Sequence, residues 1–223
     1  MPRFRYLSHS LGQVVPAYGC EDAELTLRQT KSVREGDSCN TFWLGLENHF
    51  GTHVDAPAHF YDDGMTIAEY PPETWICHRP CVVRLESKEN ELIDIDSLAG
   101  HISETADVVL LQSGFQRFRE TPRYSCHNPG LKPEIGLWLR KEYPLVRMVG
   151  FDFVSLSAFQ HRDVGREAHR AFLDPHGSGT PILIIEDMDL SCELNGLESV
   201  LVVPLRVAGL DSAPCTVIGV FND

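Results

Sequence analysis

The sequence predicts an α/β fold with a mixed, partly parallel sheet, built as a single domain over residues 1–223. Three observations predict it. Several short apolar runs have the length of buried strands, and two stretches between them carry apolar residues at helical spacing. No linker, internal repeat or low-complexity segment divides the chain.

The elements follow in order. The N-terminal third is strand and loop, with no helix expected before residue 90. CVVRL (81–85) and DVVLLQ (107–112) are strands, because β-branched and leucine side chains dominate each run. PEIGLWLRKEY (133–143) is a helix with Pro133 in its first turn, where a missing N–H costs nothing. VRMVGF (146–151) is a strand, and DVGREAHRAFL (163–173) is a second helix. PILIIE (181–186), LVVPLRV (201–207) and CTVIGVF (215–221) complete the strands. Gly, Pro and Asp cluster in YDDGMT (61–66), YPPET (70–74) and LDPHGSGTP (173–181), which are loops.

Bulk composition sets limits on function. With 43% hydrophobic and 23% charged residues, the chain is an ordinary globular protein, long enough to bury a core without staples. A net charge of −13 argues against a nucleic-acid partner, since nothing here neutralises a run of phosphates. MPRFRYLSHSLGQ lacks the apolar core of a signal peptide, and the other apolar runs are strand-sized. No membrane association and a cytoplasmic location are therefore expected. The seven cysteines, at 20, 39, 77, 81, 126, 192 and 215, include no CxxC pair, and most are expected to be free, reduced thiols.

Chemistry concentrates in HFGTHVDAPAHF (49–60). His49, Gly51, His53, Asp55, Pro57 and His59 are all odd-numbered, and the residues between them are apolar or small. Gly51 and Pro57 oppose a helix, and on a helix His53 and Asp55 would point apart. On a strand, residues two apart share a face, so His49, His53 and Asp55 look the same way. His53 and Asp55 then have Cα atoms about 7 Å apart, close enough to converge on one ion. His49 lies about 13 Å from His53 if the chain is extended, so a bend at Gly51 must bring them together, or two ions sit side by side. Pro57 turns the chain and swings His59 back toward the site. Imidazole with carboxylate suits zinc, manganese or iron better than calcium or magnesium.

A strand cannot complete a coordination sphere. His169, inside REAHRAFL, and Glu186, closing PILIIE, are the foremost candidates for the remaining ligands. A carboxylate after four apolar residues calls for a partner. His161, Asp163, Asp174, His176, Asp187 and Asp189 compete with them, and residue types alone do not choose.

The stretch resembles the HxGTHxDxPxH signature of the "putative cyclase" family of metal-dependent hydrolases, which includes bacterial kynurenine formamidases and isatin hydrolases. The likeness extends through YLSHSLGQVVPAYG (6–19), DVVLLQSGF (107–115), VGFDFVSLS (149–157), IIEDMDLS (184–191) and LVVPLRVAGLDSAP (201–214). It implies a swivelling β/β/α fold, a homodimer, and a site of one or two zinc or manganese ions. Its ligand set matches His49, His53, Asp55, His169 and Glu186, and its acid/base residue matches His59. Tyr18, in the loop PAYG, matches the family's aromatic loop and is a candidate to stack on a substrate; an ordinary half-buried tyrosine is the plain alternative. The resemblance implies hydrolysis of a small-molecule amide, an aromatic N-formyl compound or a cyclic amide. Cyclisation or dehydration at the same site, or a non-catalytic metal module, are the rivals. LDPHGSGTP and FQHRDVGRE (159–167) are longer than in a formamidase, and such loops bear on the identity of the substrate.

Overall fold

The run Val108–Gln112 shows how the core is organised. Val108 and Leu110 pack into one buried cluster while Val109 and Leu111 pack into another, so both faces of this strand are covered. That explains why its sequence is uninterruptedly apolar rather than alternating. The computed structural model describes residues 1–222. In chain order its strands begin with β1 (Arg3–Tyr6), the hairpin β2 (Val14–Ala17) and β3 (Glu21–Glu24), and the hairpin β4 (Thr26–Lys31) and β5 (Thr41–Gly45). Then come β6 (His53–Asp55), β7 (Ile76–Cys77), β8 (Pro80–Arg84), β9 (Leu92–Ile93) and β10 (Val108–Gln112). Helix α1 (Pro122–Cys126), β11 (Gly130–Leu131), α2 (Pro133–Glu142), β12 (Met148–Phe151) and α3 (Arg162–Leu173) follow. The chain closes with β13 (Leu183–Glu186), β14 (Leu197–Pro204) and β15 (Ser212–Phe221).

The main sheet runs β7-β14-β15-β6-β13-β12-β10-β8, with β1 added along β15. From β8 to β13 the pairs are parallel; from β13 onward they are antiparallel. The sheet curls until β14 approaches β8, which makes it nearly barrel-shaped. Arg84, ending β8, bonds to Glu193 and Asn195 just ahead of β14 and ties the approaching edges together. The fold is therefore α/β with a mixed, partly parallel sheet, as the sequence predicts. Each strand and helix expected after residue 80 is present within a few residues of its expected bounds.

The bend expected at Gly51 is present, and two of the seven cysteines depart from the expected free state. The stretch from His49 is not one long strand: only His53–Asp55 pairs, and His49 sits in a turn before it. Gly51, at φ 63°, makes the bend. An L-residue rarely adopts that conformation, and an added Cβ would also meet Leu11 at 2.6 Å. Cys20 and Cys126 form a disulfide across 106 residues, joining the loop after β2 to the end of α1. The other five cysteines are free. Nothing in the spacing marks that pair, because only the tertiary fold brings it together.

Helices α2 and α3 pack together on one side of the sheet, with Ile135, Leu139, Ala168 and Phe172 in the cluster that holds Val109, Phe151 and Ile184. Glu186 has the parity of Ile184 and faces the helices; Val54 faces the opposite cluster, so His53 and Asp55 face the helices too. Helix α3 lies close because residue 165 is glycine: a Cβ there would fall 2.3 Å from Cβ and 2.7 Å from Cα of Ser157. Gly165→Ala should therefore destabilise the protein, although alanine is the better helix former by about 1 kcal/mol. Overpacking costs about 1–3 kcal/mol, so a lowered urea midpoint is expected, and a raised one would refute this account of the docking.

Candidate metal centre

The register of three neighbouring strands assembles the centre. β6 lies between β13 and β15, with Glu186 opposite His53 on one side and Ser212 opposite Asp55 on the other. Cross-strand neighbours have side chains about 5 Å apart, so His53, Asp55 and Glu186 converge by pairing alone. His49 reaches in from its turn, and His169 comes down from α3. Pro57 opens a short 3-10 turn, Pro57–His59, that brings His59 back over the same face.

Distances show what meets. His53 Nε2 lies 3.6 Å from Asp55 Oδ1 and 3.4 Å from Glu186 Oε2. His169 Nε2 lies 3.4 Å from Glu186 Oε1 and 3.9 Å from Asp55 Oδ2. His49 Nδ1 lies 3.3 Å from Asp55 Oδ1. One atom each from His53, Asp55 and Glu186 fall within 4.8 Å of one another, and so do atoms of His49, Asp55 and His59. Asp55 belongs to both groups.

The imidazoles are aimed by backbone carbonyls. His53 Nδ1 bonds to the Gly51 carbonyl at 2.8 Å, and His169 Nδ1 to the Gly165 carbonyl at 2.9 Å. A carbonyl only accepts, so each Nδ1 carries the proton and each Nε2 is turned to the centre. Glu186 Oε1 accepts from the Leu156 N–H at 2.7 Å and from the Ser155 hydroxyl at 3.2 Å.

Burial opposes every charge here, and the neighbours overrule it. Burial pulls His53 down, but Asp55 and Glu186 push it up to about 9. His169 is likewise lowered by burial and raised, on balance, by Glu186. Burial pushes Glu186 up, yet His169 and His53 bring it down to about 2. Asp55, also raised by burial, is held well below the ordinary carboxylate range by His49 and His53. The imidazoles around Asp55 and Glu186 thus offset the burial that would otherwise raise both carboxylates. His53 Nε2 and Asp55 Oδ1 are nevertheless buried without a hydrogen-bond partner. Two orphaned ligand atoms, with nitrogen and oxygen donors around them, fit a divalent cation.

The competitors have other employment. Asp187, at φ 52°, turns away from the centre and accepts from Arg119 Nε and Nη2 at 2.9 and 2.7 Å and from the Tyr124 hydroxyl at 2.6 Å. Asp163 pairs with Arg166, His176 with Asp63, and Asp189 accepts from Ser191; His161 is exposed and Asp174 accepts from the His176 N–H. Sequence reasoning missed Asp211, whose Oδ2 lies 2.8 Å from His59 Nδ1 and whose Oδ1 accepts from Asn48 Nδ2 at 2.8 Å. No signal in the residues near His59 reveals it. It arrives because β15, which it precedes, pairs with β6.

The centre floors a cavity of about 440 Å³, the size of a small-molecule site. Tyr18, Phe60, Arg162 and Arg166 line it. The Arg119–Asp187 pair braces its wall directly behind Glu186. Arg119→Met should destabilise the fold by about 3 kcal/mol by leaving Asp187 buried and unpaired, and an unchanged denaturation midpoint would contradict that role.

Comparison with known proteins gives this geometry a family. The "Putative cyclase" family matches residues 6–158. Cyclase-like protein 1 of Arabidopsis thaliana is 25% identical over 225 residues, covering 93% of this chain and 81% of that protein. A kynurenine formamidase of Sphingopyxis alaskensis is 25% identical over 218 residues, covering 98% of each. Among solved structures, isatin hydrolase A from Labrenzia aggregata superposes with a TM-score of 0.81 at 20% identity, over 100% of this chain and 94% of that one. The fold is shared with that hydrolase, and the chain belongs to the "Putative cyclase" family.

Proposed function

We propose that this protein is a metal-dependent hydrolase of C–N bonds other than peptide bonds, acting on a small aromatic N-formyl or cyclic amide. The observation that carries the reading is the pair of orphaned buried atoms, His53 Nε2 and Asp55 Oδ1, facing a cavity of substrate size. Relatives named kynurenine formamidase and structural neighbours named isatin hydrolase support the substrate class. His49, His53, Asp55, His169 and Glu186 are the proposed ligands of zinc or, second, manganese. One ion would satisfy the orphaned atoms, and Asp55, which belongs to both ligand groups, would serve one ion or two. The whole of residues 1–223 forms the catalytic domain.

A divalent cation there supplies an acidified water and a polarised substrate carbonyl. The rest of the work belongs to the chain. His59 Nδ1 donates to Asp211 Oδ2, which leaves Nε2 with a free lone pair. Nε2 takes a proton from the attacking water and returns it to the leaving nitrogen as the C–N bond breaks. Asn48 holds Asp211, and through it the ring of His59. Phe60 stacks on His169 at 4.9 Å and meets His59 edge-on at 4.8 Å, a dry wall beside the proton path. Tyr18 is the proposed face for the substrate ring.

A homodimer in the cytoplasm is part of the same proposal. Leu27, Phe42, Trp43 and Leu44 stand about half exposed on the β4–β5 hairpin, a surface that a second copy would cover. No helix among the described residues is long and apolar enough to cross a membrane. Phe42→Glu with Trp43→Glu should halve the sedimenting mass; a wild-type protein that sediments as a monomer would refute the dimer.

The reaction is tested with N-formylkynurenine, metal-loaded protein and a chelated control. Turnover is expected in the loaded protein alone. His59→Ala should keep its metal and lose turnover by at least about a hundredfold. Asp55→Ala should lose both. Retention of metal by Asp55→Ala with its loss from His59→Ala would reverse the roles and make His59 a ligand.

A further inference from the structure

Helix α3 carries more than His169 toward the cavity. Arg162, Arg166 and His169 follow one another at i, i+4 and i+7, the spacing of a single helix face. All three line the cavity. With about 1.5 Å of rise per residue, Arg166 stands about 4.5 Å and Arg162 about 10.5 Å along the axis from His169. His169 is buried at the floor and the arginines are exposed at the mouth. The face is thus a ladder from the candidate metal centre to a cationic rim.

The rim is furnished for an aromatic acid. Arg162 lies 4.1 Å over the ring of Phe159, which meets Tyr18 edge-on at 5.7 Å. Tyr18 lines the same cavity as Glu186 at the floor and both arginines at the mouth. Arg162 has no carboxylate partner among the described residues. Arg166 has only Asp163, at 3.0 Å in an exposed pair that contributes little. Of the carboxylates lining the cavity, Asp55 and Glu186 belong to the centre and Asp187 is neutralised by Arg119. Glu47 is the remaining one, and it is exposed.

We propose that Arg162 and Arg166 form an anion subsite, and that the substrate is an aromatic amide bearing a carboxylate across the ring from the bond to be broken. The proposal rests on the amide-hydrolase reading, and its test separates the two. The amide enters the floor, the ring lies against Tyr18, and the carboxylate meets the guanidinium forks, whose planar donors match its two oxygens.

Metal-loaded wild type and an Arg162→Gln, Arg166→Gln double variant are compared on 4-formamidobenzoate and formanilide, which differ only in the carboxylate. Wild type should prefer the acid by about tenfold or more in kcat/KM, with the preference residing in KM, and in the variant the ratio should fall toward one. Calorimetry with the two products, 4-aminobenzoate and aniline, gives a reading independent of turnover. A tenfold preference for the acid that disappears in the variant supports the subsite even if neither amide is hydrolysed; in that case only the amide-hydrolase reading fails. Equal binding in wild type, or a preference that the variant retains, overturns the subsite.

Discussion

Two carboxylates buried beside each other set the terms for this molecule. Asp55 is 1% and Glu186 4% exposed, and both are held ionised. Such a pair is tolerable only if positive charge stands between them. The imidazoles of His49, His53 and His169 surround the pair, and a divalent cation would also engage the atoms that have no hydrogen-bond partner. The strand order serves this requirement. β6 must lie between β13 and β15 for Asp55 to face Glu186, and the same register delivers Asp211 to His59.

The surroundings are braced accordingly. Thr52, inside the histidine-rich stretch, donates to the Asp187 carbonyl at 2.5 Å and accepts from the His9 N–H at 3.0 Å. This bond and the Arg119–Asp187 pair hold the backbone and the side chain of Asp187, the residue that follows Glu186. Backbone carbonyls of Gly51 and Gly165 aim two of the imidazoles, and both glycines are required by close approach. Residues that never touch a substrate thus decide where the reactive groups point. Fixed donors waste little energy on rearrangement when a cation or a substrate arrives.

How much of this is legible in the sequence depends on how local its cause is. Parity placed His53 and Asp55 on one face, and that face is the one turned to the helices, because alternation is a property of the strand itself. The bend at Gly51 and the turn at Pro57 were readable for the same reason. His169 and Glu186 were recognisable as candidates but not as choices: a histidine in a helix and an acid ending a strand acquire meaning only from what faces them, and the family resemblance supplied it. Asp211 was unreadable, since its link to His59 spans 152 residues and exists only through strand pairing. The Cys20–Cys126 bridge and the Arg119–Asp187 pair are hidden in the same way.

The central claim is that His49, His53, Asp55, His169 and Glu186 together hold a divalent cation. Crystals grown with zinc, measured on both sides of its absorption edge, test it most directly. The account predicts anomalous density about 2.0–2.2 Å from Asp55, Glu186, a ring nitrogen of His49 and the Nε2 atoms of His53 and His169, as one peak or two, with His59 outside bonding distance. A fully occupied zinc elsewhere on the protein, with no peak between Asp55 and Glu186, would contradict it.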